Sequence, residues 1–91
     1  MRGFEKPENA VLDYSFDWSD WLESGEAIAS SQWYVPSPLA KAASTNTASV
    51  AVVWLSAGTY GDIYVVTNTI TTDSNPARVD SRSFKITMTE R

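Results

Sequence analysis

The sequence predicts an all-β domain, an antiparallel two-sheet sandwich of about seven strands with one short helical turn. Three observations carry that expectation. Val, Ile and Thr together number 21, against 4 Leu and 2 Met; side chains stiff at χ1 suit a pleated surface and penalise a helix. Apolar and polar residues alternate with period two through most of the chain, as half-buried strands require. Turn-forming groups recur at short, regular spacing with no long helical pattern between them. A chain of 91 residues has the size of one such sandwich.

Residues 1–10 are polar, with Pro7 and a single large apolar side chain, Phe4. They read as an arm outside the core, with Phe4 as an anchor for another chain. The domain then spans 11–91. In the first strand Leu12, Tyr14 and Phe16 point one way, Asp13, Ser15 and Asp17 the other. Asp17 and Asp20 suit the positive end of a helical turn over Trp18–Glu23, and Gly25 suits a left-handed stop. Residues 27–35 form a second strand. The parities of Ile28 and Trp33 disagree, which predicts a bulge near Ser30–Ser31. Leu39–Ala43 is a short strand or bend, and Ser44–Thr47 a turn.

Ala48, Val50, Val52 and Trp54 alternate with Ser49, Ala51 and Val53, so the first set is expected in the core. A loop with Gly58 and Gly61 follows. The next strand places Tyr64, Val66, Asn68 and Ile70 on one face, where Asn68 needs partners if buried. Asn75–Pro76 marks a turn. The last strand turns Phe84, Ile86 and Met88 inward, with Asp80 and Arg82 on the same parity but past the edge of the core. Trp33 completes the expected core.

Composition narrows the function. The net charge is −4, and a phosphate backbone would repel such a chain. No polybasic run is present to hold an anionic membrane, and no apolar run reaches the length of a spanning helix. The first residues lack the apolar stretch of a signal peptide. With no cysteine, the expectation is synthesis in a reducing cytoplasm. With no histidine either, the usual general base, thiol nucleophile and zinc ligands are missing. No G-x-S-x-G, S-x-x-K or phosphate loop occurs. The residues point to a binding module, neither an enzyme nor a cofactor carrier.

Two groups have rival readings. Asp13, Asp17, Asp20 and Glu23 could hold a calcium ion, but calcium-loop spacing is lacking, and a solvated strand face followed by a cap explains them as well. Trp18 and Trp21 could plug the open end of the sandwich, the favoured reading. They could instead join Tyr34 as an aromatic platform for a sugar or a protein partner. Phe4, Trp18, Trp21 and Tyr34 are therefore the candidate partner-binding residues. Tyr64, on the strand after the glycine loop, matches a tyrosine corner whose hydroxyl holds the crossover.

The second half runs Val50-x-Val52-x-Trp54-Leu55-Ser56, Gly58-Thr59, Gly61, Tyr64, Val66-Thr67-Asn68, Ile70-x-Thr72, then Arg82-Ser83-Phe84. The first half adds Leu12-Asp-Tyr-Ser-Phe-Asp-Trp-Ser-Asp-Trp-Leu22, then Trp33, Val35-Pro36 and Leu39. From about Val11 to Met88 this resembles the small immunoglobulin-like virion proteins of tailed bacteriophages called fiber-tail adaptors. The last turn departs, being Asp73–Arg78 where such proteins often carry Asp-Gly-Arg. The resemblance implies an immunoglobulin-like sandwich with a structural role in the virion, in the tail or neck region. It implies contacts with a tail or neck component and a fibre protein, in a multi-copy symmetric assembly. A carbohydrate-binding or capsid-decorating immunoglobulin-like module is the alternative.

Overall fold

The computed structural model describes residues 2–89. Met1, Glu90 and Arg91, at the ends of the expected arm and domain, lie outside the described residues. Seven strands run in order: β1 Arg2–Pro7, β2 Leu12–Asp17, β3 Ile28–Tyr34, β4 Leu39–Asn46, β5 Val50–Ala57, β6 Ile63–Thr72 and β7 Val79–Thr89. They form a four-stranded sheet, β1-β7-β6-β3, and a three-stranded sheet, β2-β5-β4. Taking β2 to β7 as strands B, E and D against C, F and G, this is the immunoglobulin sandwich. The short helical turn reduces to one hydrogen-bonded turn, in which the Trp21 and Leu22 N–H groups both donate to the Trp18 carbonyl (2.9 and 3.0 Å).

The largest departure from expectation is at the start of the chain. Residues 2–7 are no free arm; they are an edge strand, parallel to β7 from Arg2↔Phe84 to Pro7↔Thr89. The sandwich is therefore not wholly antiparallel. Phe4 turns inward, with its ring 5.0 Å from Tyr14 and 5.4 Å from Phe84. Lys6 shares that parity and is fully buried. Its ammonium donates to the Ala57 carbonyl at 2.8 Å and the Pro7 carbonyl at 3.1 Å. An inward lysine is what hides the strand from a hydrophobicity pattern. Burial lowers the Lys6 pKa, and the nearby Glu8 carboxylate partly opposes this.

The core comprises Tyr14, Phe16, Trp18, Ile28, Leu39, Ala51, Val53, Leu55, Tyr64, Val66, Ile70, Phe84, Ile86 and Met88, with Trp33 packed against it. In β5 the face is the reverse of that expected. Ala51, Val53 and Leu55 are buried, while Val50, Val52 and Trp54 lie half-buried on the outer face. The segment Val-Ala-Val-Val-Trp-Leu is apolar on both parities, so period two cannot choose a side. Leu12 has the inward parity but is 38% exposed, being at the open end of β2. β4 is longer than expected and carries the chain through Ser44–Asn46, because pairing with Val53, Val52 and Ala51 continues to the turn.

Other local features follow the residues. The register shift in β3 falls between Ile28 and Ser30, reconciling inward Ile28 with inward Trp33. Gly25 has φ 80°, as its left-handed stop requires. Gly58 has φ 97°, and a Cβ there would sit 2.7 Å from Met88 Cε, so backbone and packing both favour glycine. The Tyr64 hydroxyl accepts from the Thr59 N–H (3.1 Å) and donates to Asp62 Oδ2 (3.2 Å), tying down the crossover loop.

Candidate interaction surface

The end of the sandwich between β2 and β3 brings together two of the four residues singled out for binding, Trp18 and Trp21. Trp18 follows β2 directly, and its N–H donates to the Ser49 carbonyl at 2.7 Å, which prolongs the β2–β5 ladder by one step. Its indole is fully buried. Nε1 donates to Asn68 Oδ1 at 2.9 Å. The Asn68 amide in turn donates to Ser31 Oγ (2.8 Å) and the Gln32 carbonyl (3.0 Å). The inward Asn68 thus finds its partners in the plug itself, and both polar groups are satisfied in the interior.

Two arginines close this end. The Arg82 guanidinium lies over Trp18 at 4.1 Å, and that of Arg78 over Trp21 at 4.1 Å. Arg82 does not project past the core as expected; it also donates to the Asp17 carbonyl and to Asp20 Oδ1, both at 3.2 Å. Arg78 pairs with both Glu26 oxygens, through Nε (3.0 Å) and through Nη2. Glu26 Oε2 also accepts from Ser74 Oγ at 2.8 Å, and Oε1 from the Glu23 N–H at 3.0 Å. The Arg78 hydrogen bond, first, and then the Glu23 N–H hold the Glu26 carboxyl well below its usual range. Asp17 Oδ1 accepts from the Ser19 N–H at 2.9 Å, which lowers the pKa of that carboxyl too.

Trp18 is therefore a plug, with no face to offer a partner. Trp21 is half-buried, packed edge-on against Trp18 with centroids 5.5 Å apart, and has a guanidinium over its ring. Phe4 is spent on the core of its own chain. Of the candidates only Tyr34 stands clear, 67% exposed. It is paired with Thr67 on the outer face of the four-stranded sheet. Exposed Val65 and Ile63 continue that face along β6 beyond the end of β3. Among the described residues no three acidic, histidine or cysteine side chains come together to hold a metal ion. An open sandwich implies unpaired sheet edges; which strands form them was not legible, since pairing partners are not written in any one strand.

The described residues form a small immunoglobulin-like structural module, its aromatic end sealed and its outer faces and edge strands uncovered. The chain belongs to the family described as podophage GP4 fiber-tail adaptor protein gp77, whose model matches residues 6–87. It is thus a structural protein of tailed phages. No curated protein matches the chain.

Proposed function

We propose that this protein is a non-enzymatic adaptor that joins the tail or neck of a phage particle to its fibres. It is present there in several copies around the tail axis. The family match across residues 6–87, nearly the whole sandwich, carries the reading. The chemistry of the chain agrees with it. With neither histidine nor cysteine, the chain is poor in groups for catalysis. Its net charge of −4 suits contacts with proteins better than with nucleic acid. The protein is made in the host cytoplasm and ends in the virion tail, bound to a tail or neck component on one side and a fibre protein on the other. Symmetric repetition of a small unit is how closed assemblies are made.

Cryo-electron microscopy of the cognate particle tests this. The expected density is a ring of sandwiches between tail and fibres, and particles assembled without the protein should lack fibres. Density on the capsid surface instead would make it a decorating module. Fibres retained at full occupancy in its absence would end the adaptor reading.

A further inference from the structure

We propose that the open edge of β2 receives an extended strand from another polypeptide, with apolar residues turned inward and Lys or Arg turned outward opposite Asp13 and Asp17. This rests on the adaptor reading and names the surface through which one of its contacts is made.

The ladder shows which backbone groups are open. Trp18 and Ser49 continue the β2–β5 register one step past Asp17↔Val50, and the Trp18 N–H is bonded to the Ser49 carbonyl. Bonded and non-bonded pairs alternate in an antiparallel ladder. Phe16↔Ala51, Tyr14↔Val53 and Leu12↔Leu55 are therefore the bonded pairs. Asp13, Ser15 and Asp17 aim their N–H and C=O groups away from β5. The Asp17 carbonyl accepts from Arg82 Nη1, as an outward group can. β2 is an edge of its sheet, so the Asp13 and Ser15 groups face no strand.

The other edges carry the devices that discourage strand addition. β1 holds Pro7. β3 has its register shift and is followed by Pro36 and Pro38, and β4 has a shift beside Lys41. β2 has no register shift, proline or lysine. In a constant-type immunoglobulin sandwich the first strand lies beside the equivalent of β2; here β1 has gone to the opposite sheet, and that place is left open. Leu12 faces inward yet is exposed, and Val11 beside it is exposed too. An added strand with an apolar inward residue covers Leu12. The outward carboxylates of Asp13 and Asp17 favour cationic residues across the new pair and disfavour acidic ones.

Ser15→Pro tests the edge directly. It removes an N–H that β5 does not use and places a ring where the incoming strand would lie, with Ser15→Ala as its control. A double variant, Asp13→Lys with Asp17→Lys, tests the charge preference without touching the backbone. Each is checked for an unchanged circular dichroism spectrum, then mixed with cognate phage particles assembled without the adaptor. Wild type and Ser15→Ala should join the particles, and Ser15→Pro should not. The charge-reversed protein should join with affinity lower by about tenfold or more. Amide hydrogen exchange across residues 12–17 should slow in the particle. If wild type and Ser15→Pro join equally, or exchange there is unchanged, the edge assignment is wrong while the adaptor reading stands. If wild type itself does not join, the adaptor reading fails and the edge assignment with it. If Ser15→Pro removes only self-association, the strand comes from a second copy, and the heterologous partner is overturned.

Discussion

Trp54 occupies the opposite place from the one its neighbours imply, whereas Trp18 takes the place expected of a plug. Trp54 sits in an alternating apolar run yet lies on the outer face; Trp18 follows a charged residue in a turn and is fully buried. Trp18 was legible as a plug because the end of a small sandwich needs a large side chain. Its bond to Asn68 was legible only as Asn68's need for a partner. Trp18→Ala should cost about 3–5 kcal/mol in a denaturant titration, as for other buried aromatic truncations. Trp54→Ala should cost clearly less, and equal losses would contradict the placement of β5. Tyr14 makes the reverse case. Its hydroxyl is buried without a hydrogen-bond partner among the described residues, and burial followed by the Asp13 charge raises its pKa. Removing such a group relieves a desolvation penalty. Tyr14→Phe should leave the melting temperature unchanged or higher, and a marked fall would reveal a partner for the hydroxyl.

At the scale of elements, strands with one apolar parity were legible and strands with two or none were not. β7 alternates from Phe84 on and β6 from Val66 on, and the inward residues Tyr64, Val66, Phe84 and Ile86 share the expected parity, although Ile63 and Val65 add apolar side chains to the outer parity of β6. β5 is apolar on both parities, so only its pairing between β2 and β4 decides which side faces the other sheet. β1 puts Phe4 and Lys6 inward, so it reads as a polar arm, although it covers Tyr14 and Phe84. Deleting residues 1–7 should therefore lower stability and expose aromatic surface, seen as an earlier melt and increased dye binding; a free arm could be removed without either effect. The connection between β2 and β3 depends on Glu26. Its folded-state pKa is depressed, so its contribution is fully present above the ordinary carboxylate value of 4.5 and is lost as pH falls through the lower folded value. Glu26→Gln should flatten the fall of stability in that acid range, and a profile identical to wild type would deny Glu26 this role.

For the whole molecule, composition and turn spacing were enough for the class of fold, and the order of motifs was enough for the family. The arrangement of the edges was not readable, because it depends on β1 leaving β2 for the opposite sheet. The result is a slab of 45 × 22 × 17 Å, long along the strands and two sheets thick. Such a shape can present its two faces and its ends to different neighbours. That geometry agrees with the proposed placement between two neighbours, whose contacts would fall on its edges and outer faces.

The parallel pairing of β1 with β7 has a mechanical consequence. Traction between Arg2 and Thr89 draws the two strands past each other along their length. The pairs from Arg2↔Phe84 to Pro7↔Thr89 are then loaded together in shear. Traction between Ile63 and Thr87, which face each other at the open end of the β6–β7 hairpin, peels that ladder one pair at a time. Single-molecule pulling should record a higher rupture force for the first geometry than for the second, and the reverse order would refute it. In the proposed adaptor role such loading would run between its two neighbours, and the β1–β7 pairing is arranged to resist force along the strands.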